Sequence, residues 1–349
     1  MLKGFASPFA RVISTLGIGA LGGALFAWIG LPAPWLAGSM IAVTAAVLGG
    51  VPTAIYNPAR IAVFIILGIQ IGGSVTHETL QRMASWPGSL VALALTVAAV
   101  TASGYGLFRG LYRWDRPTAL FSSVPGALSL TLLLADEARA DMPRVTIVQC
   151  IRLFFLVAVL PSLIGLGNQE SVPPVMANGA SIAAQDGLIL VASGGLGGFV
   201  AQKARLPAGL ILGSLMASAA VKLAGLVSAP LTNLLLVPAY VMLGTMIGVR
   251  FQGFDRNLVA RLFLAGVVGF VLAMAVAFAG AFAAHEISAI PLSLTLVAFA
   301  PGGLEAMTIM AFALNLDPAY VGAMQIARYL GISLTLPLLG KLLRGSERA

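Results

Sequence analysis

Two residue pairs stand out for their type and spacing. Gln149 and Arg152 lie three positions apart, and Gln325 and Arg328 repeat the pair 176 positions later. A spacing of three places both side chains on one helix face. All four residues stand within apolar runs, where an arginine at the bilayer centre costs from about 2.5 kcal/mol upward. That cost, met twice at corresponding places, points to a task. A guanidinium is a planar fork suited to a carboxylate. It could equally pair with Asp141 or Asp317, or hold free carbonyls at a helix end, and the sequence leaves these roles open.

The second pair of features is Pro125-Gly126 and Pro301-Gly302, each in the middle of an apolar segment. Proline inside a helix removes a hydrogen bond and clashes with the preceding turn. Such a break at membrane depth is tolerated where it lines a cavity or is buried in protein. A half-helix starting after the break points free N–H groups and the positive end of its dipole at the gap, which favours an anion. Ser122, Ser123 and Ser129 add hydroxyls in the first segment. Gly303 and Glu305 stand in the second, where Glu305 replaces Ser129 and makes the pair unequal. A carboxylate there could take a sodium ion or a proton. The candidate substrate site is therefore Ser123, Pro125, Gly126, Ser129, Gln149, Arg152, Pro301, Gly302, Gly303, Glu305, Gln325 and Arg328. The competing reading makes Pro-Gly a packing kink and Glu305 a cap.

Other polar residues read more plainly. Asp141 and Asp317 open a segment each and resemble N-caps. Asn57 and Gln70 read as interhelical hydrogen-bonding groups. His77 and His285 read as loop residues, Cys150 is a lone cysteine, and no clustered Cys/His spacing suggests a metal. The GGLGG run at 194–198 lacks the strand and GK[ST] of a phosphate loop and reads as helix-packing glycine. No catalytic residue or cofactor is assigned.

The elements that must hold these residues follow from composition. Apolar residues make up 59% of the 349 and charged residues 9%, against about 25% charged in soluble domains. Continuous apolar runs of membrane length imply helical spans rather than a barrel. The net charge of +8 would suit nucleic acid in a soluble protein, but here the basic residues sit in short loops. They then orient the spans and face an anionic leaflet, so the bilayer is the expected partner and nucleic acid is not.

The chain also repeats itself. LPAPWLAGSM (31–40) falls on LPAGLILGSL (206–215) at a shift of 175, while LGIQIG (67–72) and VPGALS (124–129) fall on LGTMIG (243–248) and APGGLE (300–305) at 176. Two membrane repeats are expected, residues 1–166 and 183–349, joined by a linker loop at 167–182. Apolar segments lie near 12–31, 34–50, 58–76, 86–108, 117–137 and 144–166, then near 184–204, 208–226, 230–249, 261–284, 290–315 and 319–341. Corresponding loops carry opposite Lys/Arg bias: Arg109, Arg113 and Arg116 have no basic counterpart in half two, and Lys203 and Arg205 have none in half one. The halves should therefore be inverted, which requires an odd number of crossings each. The expected fold is an all-α polytopic membrane protein of two inverted-topology repeats. It has about ten transmembrane helices plus two interrupted or re-entrant Pro-Gly helices, with both termini cytoplasmic. Twelve crossings in parallel repeats is the alternative.

The strings LPAPWLAGSM, LGIQIGGSV, TALFSSVPGALSLTLLLADEARAD and VTIVQCIRL, with LPAGLILGSLM, LGTMIGVRF, APGGLEAMTIMAFALNLD and QIARYL in half two, resemble the AbrB membrane-protein family over essentially the whole chain. Half two carries the PGG-L-E form; half one departs from it with Ala127 and Ser129. The family's labels, regulator of gene expression and ammonia monooxygenase, are matched here by neither a DNA-reading domain nor copper or iron ligands. The resemblance implies a bacterial inner-membrane protein akin to secondary transporters. The expected activity is transport of a small anionic or carboxylate solute with sodium or proton coupling. The alternative is a membrane sensor that affects gene expression indirectly. A homodimer is expected by analogy with elevator-type transporters.

Overall fold

The computed structural model describes residues 8–31, 33–73, 75, 77, 81, 86–125, 128–167, 184–206, 209–227 and 235–345. The described chain is helical, without a strand. Fourteen helices are numbered here in two sets of seven. The first set is α1 (Pro8–Ile29), α2 (Pro34–Leu48), α3 (Asn57–Gly72), α4 (Trp86–Gly106), α5 (Arg116–Ser123), α6 (Leu128–Glu137) and α7 (Met142–Gly167). The second is α8 (Ala184–Lys203), α9 (Gly209–Leu223), α10 (Leu236–Gly248), α11 (Arg256–Ser288), α12 (Leu292–Phe299), α13 (Leu304–Ala313) and α14 (Pro318–Gly345). Among the described residues, four stretches are long and apolar enough to cross a membrane: Phe9–Ile29, Trp86–Leu111, Met142–Ile164 and Arg256–Ser288. This is the helix composition of a membrane protein.

Turn geometry recurs at the shift seen in sequence. Left-handed residues pair as Gly30 with Arg205, Gly50 with Gly225, Arg113 with Ala289, and Arg139 with Asn315. The expected segments largely match, with two corrections. The segment expected at 261–284 is the longer α11, Arg256–Ser288, whose N-cap Asp255 accepts from the Asn257 N–H. His285, expected in a loop, lies in its last turn with Nδ1 2.6 Å from the Ile290 carbonyl oxygen. The linker at 167–182 lies outside the described residues beyond Gly167.

The chain divides into two compact units that are not the sequence halves. Unit 1 comprises 1–82, 161–252 and 309–319, and unit 2 comprises 83–160, 253–308 and 320–349. Each therefore draws corresponding helices from both halves. In unit 1, α1 crosses α2 where Gly22 meets Gly38, and α8 crosses α9 where Gly197 meets Gly213. Glycine allows the backbones to touch, as membrane helix packing favours. Gly244 and Gly248 of α10 lie against Leu36 and Met40 of α2, rising together along the chain. Gly68 and Gly72 of α3 lie against Ile211 and Leu215 of α9 in the same way. Each contact is its partner's copy shifted by 175 or 176. The GGLGG glycines 194, 197 and 198 all make such close approaches.

In unit 2 the long helices α4 and α11 run antiparallel. Ser89 Oγ donates to Ser288 Oγ at 3.1 Å. Further along, Thr96 lies against Gly280 and Phe108 against Gly269. Phe155 of α7 packs on Phe263 and Phe270 of α11 at centroid distances of 5.8 and 5.7 Å. This frame carries the two interrupted segments.

Candidate functional site

The segments near 117–137 and 290–315 are each interrupted, as expected, into two helices, and the cause is local. The residue before a proline is pushed out of the helical region. Val124, before Pro125, has φ −61° and ψ 123°, and Ala300, before Pro301, has φ −52° and ψ 135°. Helix α5 thus ends after eight residues, about 12 Å at 1.5 Å per residue.

The first break reverses the chain. Thr118, near the start of α5, accepts a hydrogen bond at 2.8 Å from the N–H of Asp141, past the end of α6. The Arg144 guanidinium lies 5.6 Å from the Trp114 ring centroid, so both ends of the α5–α6 segment sit together. Asp115 caps α5 by accepting from the Thr118 N–H at 3.0 Å. Asp141 accepts from the Arg144 N–H at 3.1 Å and pairs with its guanidinium. Leu120, Phe121 and Val124 pack with Ala135 and Ala138 inside this hairpin. In half two Asp317 accepts from the Ala319 N–H at 2.9 Å. Trp86 meets Tyr320 edge-on at 5.5 Å, close to where Ser89 meets Ser288. The start of α14 therefore lies at the end of unit 2 from which α12 departs, and the second segment reverses as well.

The paired glutamines and arginines close on the breaks. Gln149 donates through Nε2 to the carbonyls of Phe121 at 2.8 Å and Val124 at 3.1 Å. Arg152 donates through Nη2 to the Val124 carbonyl at 3.2 Å and to Gln149 Oε1. In half two Gln325 Nε2 reaches the Ala298 carbonyl at 3.0 Å. Arg328 reaches the Ala300 carbonyl at 2.6 Å, the Gly302 carbonyl and Gln325 Oε1. The last carbonyls of a helix have no partner within it and carry the negative end of its dipole. Each arginine–glutamine pair supplies the missing donors and a positive charge. Of the roles left open above, these contacts are the helix-end clamp; Asp141 pairs with Arg144 rather than with either arginine of the site.

Both arginines are buried, Arg152 6% and Arg328 5% exposed. Each stands ten residues into its helix, about 15 Å from its start. Both belong to unit 2, each at its own break.

The remaining site residues fall as follows. Ser123 turns its hydroxyl to its own helix, donating to the Leu120 carbonyl at 2.7 Å. Ser122 Oγ and Thr131 Oγ1, the second not singled out by sequence, are buried without a hydrogen-bond partner among the described residues. Pro125, Pro301 and Gly302 are buried and Gly303 is half-buried. Gly126 lies outside the described residues, as do the side chains of Ser129 and Glu305, whose backbones belong to α6 and α13. Asn57 is not an interhelical bond: it is the exposed first residue of α3, and Gln70 is buried with Oε1 unpartnered among the described residues.

A family model described as "Transition state regulatory protein AbrB" matches residues 35–344. The chain belongs to the AbrB family. It is 29% identical over 330 residues to "Putative regulator AbrB" of Escherichia coli (strain K12), covering 90% of this chain and 91% of the relative. It is also 29% identical over 298 residues to "Uncharacterized protein YhjN" of Bacillus subtilis (strain 168), covering 80% and 77% respectively. The match takes in both hairpins and both arginine–glutamine pairs.

Proposed function

We propose that this AbrB-family chain is a secondary transporter of a small anion, of carboxylate type, in the bacterial inner membrane. The observation that carries the reading is a pair of buried arginines, Arg152 and Arg328, each closing on a helix break of the same compact unit. A buried guanidinium in an apolar interior favours an anion beside it. Broken helices at mid-depth are where transporters of this kind place substrate.

The proposed topology is ten spans and two re-entrant hairpins in inverted repeats. Support comes from the antiparallel α4 and α11, which are each other's counterparts at the 176 shift. It comes also from α10 running with α2 rather than against it, although α10 corresponds to α3, the helix that follows α2. Arg109, Arg113, Arg116, Arg139, Arg144, Arg256 and Arg261 gather at one end of unit 2, while His285 and Glu286 mark the other. The basic end of unit 2 is assigned to the cytoplasm by the positive-inside rule, and cytoplasmic termini are part of the proposal. Coupling to sodium or a proton and assembly as a homodimer are part of the same proposal.

The test is a thermal-shift screen of detergent-purified protein against mono- and dicarboxylates and inorganic anions, followed by uptake into liposomes. A ligand that binds only the folded state raises its melting temperature by mass action. Anion-dependent stabilisation, lost in Arg152→Ala while the variant stays folded, and uptake of that anion are expected. Absence of any anion effect sinks the reading. A second reading, a membrane sensor that binds without transport, draws on the regulator name carried by the Escherichia coli relative. Binding without flux would favour it.

A further inference from the structure

Half-helix C-termini inside a membrane present carbonyl oxygens and a negative dipole end, the groups with which interrupted helices bind a coupling cation. Here those oxygens are already engaged. The carbonyls of Phe121 and Val124 at the end of α5, of Ala298 in the last turn of α12, and of Ala300 and Gly302 after it, accept from Gln149, Arg152, Gln325 and Arg328. Each arginine sits where a mobile cation would sit and has a fixed positive charge. Each glutamine takes an N–H of its arginine on Oε1 and gives its own N–H to the carbonyls, which locks the guanidinium plane toward the break.

We infer that Arg152 and Arg328 are tethered cations replacing a sodium ion at the two helix breaks, so that the folded site neither needs nor binds sodium there. The inference narrows the coupling left open above: an anion entering this site is accompanied by a proton or by no ion. It rests on the transporter reading only for that last consequence. The cation replacement itself stands on the carbonyl contacts.

Two observations carry it beyond a general clamp. First, the same exchange is made twice, at Val124 and at its counterpart Ala300, although the flanking sequences differ. Second, the halves divide the work unequally: Gln149 covers two carbonyls where Gln325 covers one, and Arg328 covers two where Arg152 covers one. The carbonyls are covered in both halves whichever side chain does it.

The experiment compares melting temperatures of purified, full-length protein in sodium, potassium and choline chloride at equal ionic strength. Arg152→Ala and Arg328→Ala are measured alongside, with and without low-millimolar guanidinium chloride. Urea at the same concentration controls for denaturation. The unmodified protein is expected to melt at the same temperature in all three salts. Each variant is expected to melt lower and to recover part of the loss with guanidinium, which refits the vacated position, and not with urea. Sodium-specific stabilisation of the unmodified protein overturns the inference. So does a folded variant that guanidinium fails to raise. Should one variant not fold, the other and the salt comparison decide. Failure of the anion screen leaves these outcomes intact, so the two proposals fail separately.

Discussion

Replacing Gly213 with alanine should damage the packing of unit 1, and replacing Gly195, two residues before its partner Gly197, should not. A methyl group at Gly213 would lie 2.6 Å from the carbonyl carbon of Gly197 and 2.6 Å from Cβ of Ala201. Both are far inside the optimum of about 3.5–4.0 Å. One obstacle is backbone, so α8 and α9 must separate. Overpacking of this kind costs about 1–3 kcal/mol. Separation also strains the bond from Ser214 Oγ to the Gly194 carbonyl, 2.7 Å long, worth about 1 kcal/mol. The higher helix propensity of alanine returns roughly 1 kcal/mol. The net for Gly213→Ala is a loss of about 1–3 kcal/mol. A methyl at Gly195 meets nothing within 4 Å, so Gly195→Ala keeps the propensity gain of about 0.5–1 kcal/mol. The two variants should therefore shift in opposite directions from the parent. Thermal denaturation in one detergent, read by loss of monodisperse protein, separates them. Equal stability of the two variants would refute the close crossing of α8 and α9.

Three further outcomes follow from the hairpins and the repeat. Thr118→Val keeps the side-chain shape but removes the acceptor of the Asp141 N–H; a loss of about 1–3 kcal/mol is expected, read as a lower melting temperature, whereas Ser in its place should restore most of it. In a Cys150→Ala background, Arg113→Cys and Ala289→Cys test the inversion, since the two exposed positions correspond at the 176 shift and share a left-handed backbone. A membrane-impermeant thiol reagent should reach Cys at 113 only from the cytoplasmic side and at 289 only from the other, and labelling of both from one side would defeat the inverted arrangement. Gln325→Leu leaves the Ala298 carbonyl without its donor and frees the Arg328 plane; stability should fall by about 1–3 kcal/mol and anion-dependent stabilisation should weaken in the same preparation, while a variant indistinguishable from the parent in both would deny the glutamine its holding role.

The helices and their repetition were legible in sequence because hydropathy and proline act locally. The break at Val124–Pro125 follows from a steric rule that needs only the next residue, and its copy at Ala300–Pro301 follows from the same rule. Capping by Asp141 and Asp317 was legible for the same reason. The partition into units was not. It depends on which glycine faces which across a crossing, as Gly68 faces Ile211, and periodicity does not record partners at that separation. Thr118 escaped notice because threonine in an apolar segment is ordinary until its hydroxyl is seen to hold Asp141. Asn57 misled because a polar residue beside an apolar run reads as interhelical when it is in fact the exposed first residue of α3. The arginines were visible as an expense, but the matching expense at the breaks lies about 25 residues away in the chain and emerges only when the hairpin closes.

Those two expenses explain each other. An arginine at the centre of an apolar helix costs about 2.5 kcal/mol or more, and a helix end stranded in hydrocarbon costs several kcal/mol for each unsatisfied carbonyl. Either alone would be selected against; together, Arg152 with Val124, and Arg328 with Ala300 and Gly302, satisfy one another. A lysine would not serve as well, because a point charge cannot address two carbonyls and a glutamine from one plane. Hydrogen bonding does not cancel charge, however. The carbonyls remain neutral groups, so each break keeps a buried positive charge. Amides alone would hold the same carbonyls without burying a charge. The positive charge buried at each break is therefore the feature on which the proposed anion site rests.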